Sequence, residues 1–504
     1  MLKEKEFGDF QTPVTLAVEV VSLISEKFGV PGSVIEPTCG LGSFIEAAHD
    51  VWGDKANYIG YEINPEYCET AAKKFRGIEN IEIEKRDILS NELPRLLTSN
   101  NGDWTLIIGN PPWVTNSALG TMNSDNLPEK SNFQGLRGFD AKTGKANFDI
   151  AEWIIIRLFE SMPSDGILAM LCKTATARRV LVHLWNLGLP LSDESLYLID
   201  AKKSFDVAVD ACLLVLRKAG KNDKTAVIYD SIQAVKPSSR FGIIGGELIA
   251  NIDDYQKFAE LDGRSDYKWR SGLKHDAARI MELTPTEGGY KNGLGEIVEL
   301  ESDYVYSLLK SSDLGNGRAK PRKCVIVPQK SVGQDTGEIA NIAPKTWAYL
   351  EKHADILDAR KSSIYRKMPR YSVFGIGDYS FAMWKVAVSG LYKKIHFITV
   401  PPTEGKPTML DDTCYFIPCG SEDEAEFWQK ELDSEDCIKF LSSLVFFDAK
   451  RPVSIDILRR IDFSTLASMH GVLSRAKKYL GLASSYENSR QTTLLFTTEK
   501  AGAL

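Results

Sequence analysis

Three stretches near the start of the chain hold residue types that could do chemistry at one crevice. In "IEPTCGLGSF" (35–44), Gly40 and Gly42 directly follow an apolar run. Small residues there let the backbone turn sharply and bring a ligand close to the N-terminus of the next helix. Glu62 ends the next apolar run, twenty-six positions after Glu36. A carboxylate so placed can accept hydrogen bonds from ribose hydroxyls. Position 45 is Ile, so the pattern is not G-x-G-x-x-G, and a nucleoside-like ligand without a pyrophosphate fits it better. Asp87, in "KRDIL" (85–89), could accept from the exocyclic amine of an adenine ring. In "IIGNPPWV" (107–114), Asn110 offers its side-chain oxygen and Pro111 its backbone carbonyl as acceptors for an amine. Pro111 and Pro112 hold those acceptors rigid because proline cannot swing φ. Trp113 adds a face on which a flat base can stack, worth ~1–3 kcal/mol per base. Acceptors that draw on both N–H bonds push such a nitrogen toward a pyramidal nucleophile. The work is positioning and electrostatics, with no metal and no covalent enzyme intermediate.

The elements that must position these residues alternate. "SVIEP" (33–37), "NYIGYEI" (57–63), "IEIEKRDI" (81–88), "WTLIIGN" (104–110) and "GILAMLC" (166–172) read as strands. "SFIEAAHDVW" (43–52), "PEYCETAAKKF" (65–75) and "FDIAEWIIIRLFESM" (148–162) have helical spacing. Alternation of this kind predicts a mainly parallel sheet with helices on both faces. "SLYLID" (195–200) and "ACLLVLRK" (211–218) are too close for a helical crossover, so they are expected to pair antiparallel. In open α/β sheets ligands bind at the C-terminal strand ends, where all the residues named above lie. Residues 114–146, rich in Ser, Asn, Gly and Lys, interrupt the rhythm and read as a lid or binding loop. After Gly220 the rhythm changes, with "AGKNDK" (219–224) as boundary. A mixed α+β region of short strands follows, ending in a partly loose tail from Ser484.

The 504 residues allow two to four domains. No run of about eighteen apolar residues predicts a membrane span, and "MLKEKEFGDF" lacks the apolar core of a secretory signal. Eight cysteines without a C-x-x-C pair and six scattered histidines argue against a zinc site and for reduced thiols. The net charge of −7 hides an asymmetry, because residues 1–220 hold 22 Lys/Arg against 30 Asp/Glu. By contrast, 360–394 carries Arg360, Lys361, Arg366, Lys367, Arg370, Lys385, Lys393 and Lys394 against Asp378 alone, among five Tyr and Trp residues. Such a stretch can contact phosphates whatever the total charge.

Taken together, G-x-G after strand one, acids after strands two and three, and N-P-P-aromatic after strand four look like an S-adenosylmethionine-dependent amino-methyltransferase. Their order, with a large region following, resembles the gamma class of DNA adenine-N6 methyltransferases, including the Taq-type enzymes of restriction–modification systems. "FGDFQTP" (7–13) is similar to that class's N-terminal motif and "SFDVAVDACLLVL" (204–216) to its late motif. "WRSGLKHD" (269–276), "RKSSIYRKMPRYSVFGIGDYSF" (360–381) and "DDTCYF" (411–416) are similar to the target-recognition region. The last residue of N-P-P-W departs from the commoner Tyr, and Glu36-Pro37 stands where many relatives have Asp-Pro. Both changes keep the chemistry.

The resemblance implies a Rossmann-like class I methyltransferase sheet with an antiparallel last strand over 1–220, and an α+β target-recognition domain over 221–504. It further implies S-adenosylmethionine held by Thr12, Pro13, Glu36, Pro37, Gly40, Gly42, Glu62, Ile63, Asp87, Ile88 and Asn110. An adenine rotated out of double-stranded DNA would have its amine held by Asn110 and Pro111, with Pro112 stiffening the turn. Trp113 and Phe205 would sandwich the ring. Arg360, Lys361, Arg366, Lys367 and Arg370 are the expected phosphate contacts. A cytoplasmic, DNA-associated modification enzyme follows, with a separately encoded restriction endonuclease as a further partner, and no membrane or metal. The rivals are cytosine-N4 methylation, which usually shows Ser where Asn110 stands, glutamine methylation in a protein, RNA methylation, and a non-catalytic specificity subunit. No convincing nuclease carboxylates are present, so no DNA cleavage is expected.

Overall fold

The computed structural model describes residues 10–88, 104–114 and 149–480. The expected lid (114–146, except Val114), the tail from Ser484 and the first residues of "FGDFQTP" lie outside them. The chain forms two compact units, one up to Ile252 and the other from Asp253 on.

The first unit is built on ten strands: β1 (Ser33–Glu36), β2 (Asn57–Glu62), β3 (Ile81–Lys85), β4 (Thr105–Gly109), β5 (Ile167–Lys173), β6 (Ser192–Ile199), β7 (Ala211–Arg217), β8 (Thr225–Tyr229), β9 (Ser239–Ile244) and β10 (Glu247–Ile249). Their order is β10-β9-β8-β6-β7-β5-β4-β1-β2-β3. β3, β2, β1, β4 and β5 run parallel, as the alternation predicts. β7 inserts antiparallel between β5 and β6, in accord with the predicted antiparallel pair. β4 is buried throughout, as a strand covered on both faces must be.

The helices are α1 (Val14–Phe28), α2 (Ser43–Trp52), α3 (Pro65–Lys74), α4 (Ile150–Ser161), α5 (Thr174–Leu187) and α6 (Ala201–Phe205). α3 starts where the sequence expects it: Pro65 needs no N–H partner there, and Asn64 Oδ1 accepts from the backbone N–H of Glu66 at 2.9 Å. α1 packs on α2, burying Val20, Val21 and Ile24 in one core with Ala47 and Ala48. Strand order reverses between β1 and β4, so the crevice of this sheet opens at their C-terminal ends.

The expected boundary after Gly220 is corrected by the structure. β8, β9 and β10 continue the first sheet, β8 pairing parallel with β6, and the first unit therefore ends at Ile252. "AGKNDK" is a short connection from β7 to β8, which lie on either side of β6, and composition alone cannot distinguish it from a linker.

The second unit holds two sheets. One has four strands, in the order Arg270–Ser271, Cys414–Cys419, Trp384–Ser389 and Phe397–Val400. The other has six, centred on Glu282–Thr286, Lys323–Ile326 and Val305–Leu309. Helices Glu422–Leu432 and Glu435–Leu444 accompany the strands, and the mixed α+β expectation matches. Among the described residues no helix is long and apolar enough to cross a membrane.

Candidate active site

Four strand ends converge. After β1 the chain turns through Gly40 (φ +53°) and Gly42 (φ +77°), left-handed conformations that glycine adopts without strain. Gly42 is also packed tightly, since a Cβ there would lie 2.6 Å from the Phe75 ring. Gly42→Val is therefore expected to cost roughly 2–4 kcal/mol, from strain and overpacking together. Urea unfolding measures this directly.

Two buried carboxylates hold the turn. Glu62 Oε2 accepts from the Gly40 N–H at 2.8 Å and Oε1 from the Asn64 N–H at 2.7 Å, tying the turn after β1 to the turn after β2. Glu36 points inward and accepts from the Ile45 N–H at 3.2 Å. Burial pushes its carboxyl well above the usual carboxylate range, against the opposing pull of the Ile45 and Phe44 N–H groups. Glu36 thus shapes the loop from behind, while Glu62 stands at the strand edge. Pro37 is buried, Ile63 is exposed at 42 % beside Glu62, Asp87 is half-buried and Ile88 buried after β3.

After β4 comes the Asn110–Trp113 shelf, whose polar atoms are engaged selectively. Thr38 Oγ1 donates to the Asn110 carbonyl at 3.4 Å, and Asn110 Nδ2 donates to the Phe10 carbonyl at 3.0 Å. Among the described residues Asn110 Oδ1 is left buried with no hydrogen-bond partner. A buried acceptor without a donor costs about 1–3 kcal/mol, so such an atom marks a place prepared for an N–H. Among the described residues no hydrogen bond reaches the Pro111 carbonyl. Trp113 Nε1 donates to the Leu171 carbonyl at 3.4 Å, fixing the indole against β5.

Phe205, on α6, meets Trp113 edge-on at 5.2 Å between ring centroids. Phe10 touches both, at 5.7 Å from Trp113 and 5.9 Å from Phe205. The two rings expected to flank a base are therefore near each other, closed edge-on and against Phe10. A flat ring entering between them must part them.

Phe10 and its neighbour form a strap that sequence reasoning did not single out, although both lie in "FGDFQTP". Gln11 Oε1 accepts from the Leu41 N–H at 3.2 Å, so residues 10 and 11 span the glycine turn and the shelf. Thr12 is buried, and Pro13 caps α1. Lys173, at the end of β5, also lies outside the sequence-based candidates, and its Nζ donates to the Trp113 carbonyl at 3.0 Å. A lone cation closing an apolar strand is the signal that could have found it.

In the second unit the structure divides the predicted basic stretch. Arg360 turns inward, its guanidinium donating to the carbonyls of Leu357, Ser372 and His275 and lying 3.8 Å from the Tyr365 ring centroid. Lys385 is 1 % exposed and donates to the Ala382 and Thr408 carbonyls. Arg370 pairs with Asp358 at 2.7 Å. Charge along the sequence cannot reveal which cations are consumed by carbonyls. Lys361, Arg366 and Lys367 are exposed, and none of the three pairs with a described carboxylate.

A switch-point crevice between β1 and β4, lined by a glycine turn, a strand-end acid and an amide–proline shelf, defines a class I methyltransferase. No protein-family model matches the chain. It is 41 % identical over 471 residues to the type II methyltransferase M.NspV of Nostoc sp. (strain ATCC 29411 / PCC 7524), an alignment covering 92 % of this chain and 98 % of that protein. It is 32 % identical over 119 residues to the type II methyltransferase M.CvrRI of Paramecium bursaria Chlorella virus XZ-6E, over 23 % of this chain and 27 % of that one. In fold it is similar to the type IIL restriction–modification enzyme MmeI in complex with DNA, with TM-score 0.51 and 13 % identity, over 97 % of this chain and 71 % of that one. The chain belongs to the type II methyltransferases, the DNA-modifying enzymes of restriction–modification systems, whose methyl donor is S-adenosylmethionine.

Proposed function

We propose that the chain methylates the exocyclic N6 amine of an adenine rotated out of double-stranded DNA. The observation that carries this reading is Asn110 Oδ1, buried at the tip of β4 with no hydrogen-bond partner among the described residues. Together with the Pro111 carbonyl it supplies two acceptors on a rigid turn, the number an NH₂ group needs. An amide side chain suits adenine better than cytosine-N4 chemistry, which usually places Ser there.

The donor supplies an electrophilic methyl group. Its fit rests on the left-handed backbone of the glycine turn at the strand end, and on the Glu62 carboxylate, whose oxygens retain lone pairs for hydroxyl donors. In this reading the turn through Gly40 and Gly42, packed on Gln11 and Phe75, presents its backbone to the donor, Glu62 orients its ribose and Ile63 covers its base edge. Thr12 and Pro13 bound its amino-acid end, Asp87 and Ile88 close the far side, and Glu36 and Pro37 keep the turn in shape. Asn110 and Pro111 hold the amine with its lone pair directed along the line of transfer. Pro112 keeps the turn from relaxing, while Trp113 and Phe205 part to grip the ring. Removing the base from the stack costs a few kcal/mol, which stacking on these aromatics offsets.

Incubating the protein with plasmid and labelled donor, then separating the nucleosides by mass spectrometry, tests the proposal. N6-methyladenine is expected, whereas N4-methylcytosine, or label found only in protein, would overturn it. Exposed Lys361, Arg366 and Lys367 are proposed to contact DNA phosphates, in work that does not involve inward-facing Arg360. Arg366→Glu combined with Lys367→Glu should weaken binding uniformly across sequences and lower the salt slope by about 1 for each phosphate no longer neutralised. Fluorescence titration from low to high salt measures both. The enzyme would protect host DNA from a separately encoded endonuclease of the same specificity.

A further inference from the structure

We propose that Lys173 and Asp149 form a clasp that positions the Asn110–Trp113 shelf, with Lys173 as a positioning residue for methyl transfer. The inference rests on the shelf's role proposed above, but its structural part stands independently.

Lys173 ends β5, a strand otherwise buried from Ile167 to Cys172. Its Nζ donates to the Trp113 carbonyl at 3.0 Å and to Asp149 Oδ2 at 2.8 Å. Asp149 is 4 % exposed, and its other oxygen accepts from the Ala151 N–H at 3.2 Å, capping α4. Beside this pair the Ile150 N–H donates to the Val114 carbonyl at 2.9 Å. One ammonium therefore links three elements: the shelf after β4, the end of β5 and the start of α4. It acts on the backbone of the residue whose ring lines the base site.

The chemistry makes a charged donor the right group. The shelf is a strand end with two prolines, which supply no N–H groups of their own to anchor it. Its carbonyls must be fixed from outside, and a charge-assisted bond to a half-buried ammonium is stronger than a neutral one. The Asp149 carboxylate offsets the cost of burying that ammonium. Thr38 holds the Asn110 carbonyl at one end and Lys173 the Trp113 carbonyl at the other. The Pro111 carbonyl lies between these two anchors. The clasp thus determines which way the acceptors of the shelf face, without itself reaching the reacting atoms.

The test compares wild-type protein with Lys173→Met, Lys173→Arg and Asp149→Asn, the last keeping the cap acceptor while removing the charge. Displacement of acceptors by a fraction of an ångström to an ångström lowers rate by roughly ten- to a hundredfold. Lys173→Met is expected to lose that much kcat at saturating DNA and donor, with the Kd for S-adenosylmethionine within threefold of wild type. Lys173→Arg should recover part of the loss. Asp149→Asn should lower kcat in the same direction, and adding it to Lys173→Met should change little further. Hydrogen exchange at the Ile150 amide should accelerate at least tenfold in Lys173→Met, a readout that needs no activity. Unchanged kcat in Lys173→Met, or unchanged exchange at Ile150, overturns the clasp. A wild-type protein inactive on DNA but with faster Ile150 exchange in the variant would sink the methylation reading and leave the clasp standing.

Discussion

Asn110→Ala is expected to reduce methyl transfer to DNA by about 10²–10³-fold in kcat, the usual cost of deleting one preorganised hydrogen-bonding group at a reacting centre. The bonds of that side chain explain the size of the effect. Its Nδ2 bonds the Phe10 carbonyl at 3.0 Å while its Oδ1 has no partner among the described residues. The amide therefore keeps one unused acceptor, held in place by neighbours on its other side. Alanine removes that acceptor and frees the Phe10 carbonyl, but leaves the glycine turn and Glu62 untouched. The loss should fall on kcat, with the Kd for S-adenosylmethionine within a few-fold of wild type. Asn110→Asp discriminates further, because it keeps the acceptor but places a charge in a buried site. It should also lose activity at neutral pH and regain part of it on acidification. Steady-state kinetics beside donor titration measures both. An Asn110→Ala enzyme at full speed would remove the central claim.

Lys385→Met should change how stability depends on pH. Lys385 is 1 % exposed, and burial pushes its ammonium down to about 7. Its two carbonyl partners bond the ammonium or the amine alike. In the unfolded chain an ordinary lysine titrates near 10.4. Between about pH 7 and 10 the unfolded state thus binds the extra proton and the folded state does not, so stability rises with pH through that window. Below 7 both states are protonated and the charge stays buried at full cost. Relative to Lys385→Met, wild-type stability should climb by up to ~4 kcal/mol from pH 7 to pH 10, at about 1.4 kcal/mol per pH unit. Urea unfolding of both proteins across that range is the measurement. Parallel pH profiles would show that the ammonium finds solvent.

Much of the first unit is legible in the sequence because its signals are local. Pro65 behind Asn64 marks the start of α3, and an apolar run ending in Gly109 marks a covered strand. The neighbourhood of Gly40, Glu62 and Asn110 follows from topology, since each ends a parallel strand and parallel strands end on one edge. Less legible were α1 and α5, whose residues were not singled out, and the three strands after Gly220, which pair with a sheet begun elsewhere. In the second unit, summed charge pointed to 360–394. Burial then withdrew Lys385 from the surface, carbonyls engaged the half-buried Arg360, and Arg370 was found paired with Asp358.

What the sequence determined by itself was residue chemistry and strand-end placement: an amide, two prolines and an indole after β4, beside a glycine turn after β1. Both depend on patterns a few residues long. Only the tertiary structure decided that Phe10 closes the aromatic pair, that Glu36 faces inward while Glu62 ties the turns, and that Lys173 reaches across to the Trp113 carbonyl. Each of these joins atoms far apart along the chain, and such contacts depend on which side chains the packed core leaves within a few ångströms of one another.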